Sequence, residues 1–251
     1  MESYATAAQV YAGGLVFARV GAMLMLMPGI GDSAIPPRIR LSLALLLALV
    51  LTPVVAPNLG LPPSTVGVLT ARVLHELIIG LMIGGILRGF MSSLATAGEV
   101  MSIQTSLGFA QTANPAQAQP SAALSSFLAM LGVVLVMVTD LHHLFIGAIA
   151  HSYTLFPFTR AVPVQDATAL AVQTVASAFS LGIQLSAPVI VFSLVFNIAV
   201  GLIGRVMPQF QIFFVSSPLS ILLGLSLFAL SLGTIGMVWA DRFRDLLMMF
   251  N

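Results

Sequence analysis

The chain has 251 residues, of which 59% are hydrophobic and only 7% charged, and a formal net charge of +1; its mean hydropathy is +1.07. An ordinary soluble domain carries about a quarter of its residues as charges, so the composition points to a polypeptide held in a membrane or built into a membrane complex. It excludes the basic patch that nucleic acid requires, and with no cysteine it excludes disulfides and thiolate metal sites.

Residues 1–9 hold Glu2 and no basic side chain, and Arg19 interrupts the apolar run that follows. The basic front of a cleavable signal peptide is missing, so the first apolar block, residues 7–27, is expected to stay in the mature chain. It is long enough to cross a hydrocarbon core of about 30 Å. An arginine at the bilayer centre costs about 2.5–3.5 kcal/mol, so Arg19 is expected to face protein or to snorkel. Pro28, Gly29, Gly31, Pro36 and Pro37 then end one helix and start the next. The second block, residues 41–55, is almost entirely Leu, Ala and Val.

The third block, residues 66–91, carries Arg72, His75, Glu76 and Arg88. Arg72 and Glu76 are four apart, on one helical face, where each is expected to neutralise the other. Gly80 with Gly84, and Gly85 with Gly89, form small-xxx-small patterns that let a second helix approach the backbone closely. Residues 92–121 form a polar middle with one formal charge, Glu99, among Gln104, Gln111, Asn114, Gln117 and Gln119. A loop in bulk water would be more charged and a membrane span less polar, so this stretch is expected to face a guarded aqueous space inside an assembly.

A fourth block, residues 122–150, is apolar as far as Val138 and then broken by Thr139, Asp140, Leu141, His142 and His143. Adjacent histidines point roughly a hundred degrees apart on a helix. Asp140 and His143 alone are too few for a catalytic zinc site, so no metal is expected. The fifth block, residues 167–206, is too long for one straight span, and Pro188 is expected to kink or break it. Asn197 is expected to bond between helices. Arg205 and Pro208 punctuate the turn into the last block, which has a second proline at Pro218 and ends in a balanced amphipathic tail. Six passes are expected, but the count of arginines on either side does not decide orientation.

Phosphate-binding loops, dinucleotide fingerprints, nucleophile elbows and H-E-x-x-H are all missing from the sequence, and the acidic residues are scattered singly, so neither an enzyme nor a cofactor is expected. A secondary transporter is the alternative reading, because broken helices and midplane polar groups suit one.

The order of these features resembles the FliR/SctT family of type III secretion export-gate proteins. The resemblance rests on Arg19 with P-G-I-G and I-P-P-R-I-R-L at 28–41, on H-E-L-I-I-G-L-M-I-G at 75–84, and on A-G-E-V-M-S-I-Q-T-S-L-G-F-A at 97–110 followed by Asn114 and Pro115. It continues through D-L-H-H at 140–143, Ser152, Pro157, Ala187, Pro188, Asn197, Gly201 and Arg205, and M-P-Q-F-Q-I-F at 207–213 ahead of Pro218 and Gly224. It implies an all-α, polytopic membrane-associated fold of helical hairpins with proline-kinked helices. Residues 1–165 would be a FliP-like part, and 166–251 a FliQ-like long hairpin.

Such a chain would join FliP-like and FliQ-like subunits and an FlhB-like export-switch protein in the bacterial inner membrane, at the flagellar basal body. Unfolded polypeptides would pass through that assembly; neither cofactor nor nucleic acid is implied. The family's plug loop would fall at about 106–121, with Gln104, Gly108, Phe109, Gln111, Asn114 and Pro115 as its gate residues and Phe109 as the bulky apolar element. Arg72, Glu76, Gly80, Gly84, Glu99, Asn197, Arg205 and Pro208 would serve helix packing and subunit interfaces.

Overall fold

The computed structural model describes residues 2–32, 35–59, 62–107, 123–158, 164–207 and 211–250, and among them there are helices and turns but no strand. Helix α1 spans Glu2–Leu26. It stops in a turn where Gly29 takes φ 83°, a left-handed conformation that costs a residue without Cβ little. The Gly29 N–H donates to Asp32 Oδ2 at 3.0 Å, and the Gly31 N–H donates to the Met27 carbonyl at 2.7 Å. Helix α2, Pro37–Val55, starts on a proline, whose missing N–H is no loss in the first turn. A single 3₁₀ turn, Ala56–Asn58, follows.

Helix α3 runs from Val66 to Gln104, 39 residues. It therefore continues thirteen residues beyond Met91, where the apolar block ends in the sequence. The reason lies within the polar composition: Leu94, Ala97 and Met101 recur at helical spacing, and all three are fully buried. The first part of the polar middle is thus an amphipathic helix rather than a loop. Residues 108–122 lie outside the described residues.

Helices α4, Ala123–Val138, and α5, Leu141–Leu155, meet at a bend of 76°. Asp140 makes the corner with φ 58°, a left-handed conformation that Asp tolerates better than most residues. Helix α6, Val164–Val206, and helix α7, Ile212–Met248, contain 43 and 37 residues. Pro188 lies within α6 and Pro218 within α7, and each helix continues through its proline. The break considered at Pro188 therefore does not occur; a long apolar helix tolerates one missing backbone bond when neighbouring groups take up the freed carbonyl. The tail belongs to α7: Phe243, Leu246 and Leu247 are buried, while Asp241, Arg242, Arg244 and Asp245 are exposed.

Among the described residues, five helical segments are long and apolar enough to cross a membrane: Ala7–Leu26, Pro37–Val55, Val66–Gln104, Gln165–Val206 and Phe214–Met248; the bent pair α4 and α5 makes six if it counts as one crossing. At about 1.5 Å per residue, α3, α6 and α7 reach roughly 55–65 Å, about twice a hydrocarbon core. The chain forms two compact units. The first gathers Met1–Phe90, Val136–Val175 and Phe243–Asn251, and the second Met91–Leu135 and Ala176–Arg242. In the first, Val16, Val20 and Met23 of α1, Ile79, Ile83 and Leu87 of α3, and Phe145 and Ala148 of α5 are buried. In the second, the buried residues include Leu94, Leu128, Ala178, Val189, Phe228 and Trp239.

Candidate functional site

The first unit is built around one arginine. Arg19 is fully buried, and its guanidinium, carried on α1, meets two other helices, α3 and α5, and the turn that follows α5. Nε donates to Glu76 Oε2 at 2.6 Å and Nη2 to Glu76 Oε1 at 3.1 Å, a forked pair. Nη1 donates to the Ser152 carbonyl and Nη2 to the Phe156 carbonyl, both at 2.9 Å. The cation also lies 4.2 Å from the ring centroid of Tyr153 and 5.3 Å from that of Phe158. His75 Nδ1 is 3.2 Å from Glu76 Oε1. Arg19 thus faces protein, and α1, α3 and the end of α5 share a single fully desolvated charge centre.

The expected pairing of Arg72 with Glu76 is corrected here. Arg72 is hydrogen-bonded to the Tyr11 hydroxyl instead, and Glu76 is turned to the fully buried Arg19. A full charge without solvent requires such a partner, whereas half-buried Arg72 does not. Beside this centre, a Cβ added to Gly80 would sit 2.5 Å from the Arg19 carbonyl oxygen, and one on Gly84 2.9 Å from Leu26 Cβ. These two glycines let the α1 and α3 backbones approach closely enough for the short Arg19–Glu76 contact. Gly85 faces open space.

In the second unit a chain of neutral polar groups ties α3 to α6. Asn197 Nδ2 donates to Ser193 Oγ at 3.2 Å, within α6, and Ser193 Oγ donates to Gln104 Oε1 at 2.9 Å. The bond between helices therefore belongs to Ser193, with Asn197 behind it. One residue further on, Thr105 packs where a Cβ on Gly224 would come within 2.3 Å of its Cγ2. The end of α3 is thus pinned to α6 and α7 just ahead of residue 108. Higher in the same unit, Trp239 Nε1 donates to Ser93 Oγ at 3.0 Å and Ser125 Oγ to the Ala95 carbonyl at 2.9 Å.

Asp140, His142 and His143 form a third cluster, with one ligand-type atom from each lying within 4.8 Å of the others. The two imidazole rings are 4.1 Å apart between centroids, which corrects the expectation that they diverge. Their Cα–Cβ bonds do point apart, but at the open first turn of α5 no preceding helical turn holds the rings away from each other. Asp140 and His143 are exposed.

Of the remaining residues singled out from the sequence, Glu99 is exposed on α3 and Arg205 is exposed in the last turn of α6, where a cation suits the helix dipole. Gly108, Phe109, Gln111, Asn114, Pro115 and Pro208 lie outside the described residues. Sequence reasoning missed Ser93, Trp239 and Ser193 as links between helices. Only the lone tryptophan offered a signal, since a buried indole N–H needs an acceptor.

Residues 10–246 match the profile of "Bacterial export proteins, family 1". The chain belongs to this family of bacterial export proteins. Over the full length of both chains, this export-family member is 67% identical to "Flagellar biosynthetic protein FliR" of Caulobacter vibrioides. It is 28% identical to the protein of that name from Escherichia coli K12, over 84% of this chain and 80% of the other. The Aquifex aeolicus protein of the same name is also 28% identical, over 94% and 91%. The export family accounts for the many long apolar helices, and this member is a multi-pass membrane protein.

Proposed function

We propose that the chain is a subunit of the flagellar export gate, forming with FliP-like and FliQ-like proteins the channel through which unfolded polypeptides cross the inner membrane. The observation that carries this reading is the full-length identity to a flagellar relative. Two features support it. Helices of 39, 43 and 37 residues exceed a bilayer, and bulky apolar side chains such as Leu49, Val54, Phe179 and Leu230 stay exposed along them. A chain of this shape needs companion subunits as well as lipid to cover it. It acts by forming a passage, not by catalysing a reaction.

In the same reading, residues 1–165 are the FliP-like part and 166–251 the FliQ-like hairpin, the prolines within α6 and α7 adjust the wrap around neighbours, and an FlhB-like protein meets the assembled gate. Residues 106–121 act as its plug, with Phe109 as the bulky element, Gln111, Asn114 and Pro115 around it, and Gln104 and Gly108 at its base. Absence of charge from this stretch suits a seal that must let varied polypeptides pass without retaining any. Arg72, Glu76, Gly80, Gly84, Glu99, Asn197, Arg205 and Pro208 serve packing and interfaces.

Deleting the gene should abolish secretion of flagellar subunits into the medium while their intracellular pools persist, and the full chain should restore it. Normal secretion in the deletion strain would overturn the proposal. A chain lacking residues 110–118 should still assemble but let ions leak through the gate. An unchanged leak would remove the plug assignment and leave the gate assignment standing.

A further inference from the structure

Helix α6 presents three different faces over residues 176–184. Ala178, Leu181 and Gly182 are buried, and a Cβ on Gly182 would lie 2.8 Å from the Ser93 carbonyl oxygen. Phe179 and Ile183, with Ala176 one turn earlier, form an exposed apolar stripe, in which Phe179 is 61% accessible. Ser177, Ser180 and Gln184, spaced three and four apart like the apolar stripe but one residue further on, form an exposed polar stripe roughly a hundred degrees round the helix from it. Gln184 Nε2 donates to Ser180 Oγ at 3.2 Å, which lines up two members of that stripe. Beyond Pro188 the exposed side chains turn largely apolar: Val191, Leu194, Val195, Ile198 and Leu202.

Neither solvent suits the 176–184 face. In lipid, the Gln184 amide would bring a carbonyl and a second N–H into a medium with no partner for either, a costly burial. In water, Phe179 and Ile183 would stand bare. The length of α6 allows both settings, since its 43 residues reach about 64 Å and the apolar stretch after Pro188 alone fills most of a bilayer. A protein helix satisfies both stripes at once, taking Phe179 into a packing notch and matching the amide and hydroxyls with its own. The sequence from 167 to 204 has no charged residue, so a charged partner face would bury its ions uncompensated.

We propose that residues 176–184 of α6 are a docking face for one neutral helix of a neighbouring subunit, with Phe179 as the apolar anchor and Gln184 with Ser180 as the hydrogen-bonding register. This rests on the gate-subunit reading. The occupant is an uncharged helix carrying amide or hydroxyl side chains beside a gap able to accept an aromatic ring.

Because the chain has no cysteine, single-cysteine variants report one position each. Phe179→p-benzoylphenylalanine, co-expressed with the neighbouring export genes and irradiated in membranes, should cross-link to one partner subunit, whose attachment site mass spectrometry then locates on an uncharged helix. Ser180→Cys should lose labelling by a membrane-impermeant maleimide once the partners are co-expressed, and Val195→Cys should resist that reagent with or without them. Adducts to lipid alone, or Ser180→Cys labelled equally fast in the assembled complex, would overturn the docking face while subunits still co-purify with the wild-type chain. If no subunit co-purifies with the wild-type chain, the gate-subunit reading itself fails.

Discussion

Replacing Glu76 by alanine should be among the most damaging single changes in the first unit. Glu76 accepts two bonds from Arg19, at 2.6 and 3.1 Å, and the two side chains are 1% and 0% exposed. Without the carboxylate, the guanidinium keeps the Ser152 and Phe156 carbonyls and two aromatic faces but no counter-charge. Stranding a buried charge in this way costs about 3–5 kcal/mol, or two to three and a half orders of magnitude in the folding equilibrium. Glu76→Gln keeps an acceptor and loses only the charge, so its cost should be about 1.5–3 kcal/mol. The double replacement Arg19→Met with Glu76→Leu removes both charges together and should be less destabilised than either single change. Denaturation of the detergent-purified chain with dodecyl sulfate, followed by far-ultraviolet circular dichroism, reads the whole series. A Glu76→Ala loss below about 1 kcal/mol, the level of an exposed pair, would refute the reasoning, as would a double variant no better than the single ones.

The same assay checks the packing contacts. Gly98→Ala places a Cβ 2.4 Å from Ser125 Cα, so α3 and α4 must part and about 1–3 kcal/mol should be lost. Gly85→Ala meets nothing within 4 Å and should be neutral or gain about 0.5–1 kcal/mol from helix propensity. Trp239→Phe deletes the donor to Ser93 Oγ and leaves a gap beside Gly132, for a loss of about 1–3 kcal/mol; double-mutant cycles with Ser93→Ala separate the bond from the volume. Gln104→Ala breaks the link to Ser193 and should raise ion leak through the assembled gate, measured in vesicles, with little loss of stability.

Hydropathy made the helices legible, and the breaker-rich turn at 28–37 and the polar break at 139–143 made several of their ends legible too. What composition hid was the continuation of α3. Residues 92–104 interleave Ser92, Ser93, Thr96, Glu99, Ser102 and Gln104 with apolar residues, yet Leu94, Ala97 and Met101 hold one buried line through them, a period that a reading by composition passes over. Spacing along one helix likewise paired Arg72 with Glu76, whereas a fully buried cation on α1 had the stronger claim. Intrahelical spacing carries no information about which charge on another helix lies opposite. The proline at 188 was a fair reason to expect a break, since a helix in water would lose about 3 kcal/mol there. Freed backbone groups in a packed apolar bundle find other partners, so the helix continues. Spacing also did not show that the rings of His142 and His143 lie 4.1 Å apart between centroids, because rings at a helix start are not bound by the divergence of their Cα–Cβ bonds.

The central claim is that this chain works as one part of a hetero-oligomeric passage. Native mass spectrometry of the complex released in gentle detergent, after co-expression with the neighbouring export genes, tests it most directly. The account predicts a single assembly of fixed composition containing this chain with FliP-like and FliQ-like subunits. Recovery of the chain alone, or only with copies of itself, would contradict it.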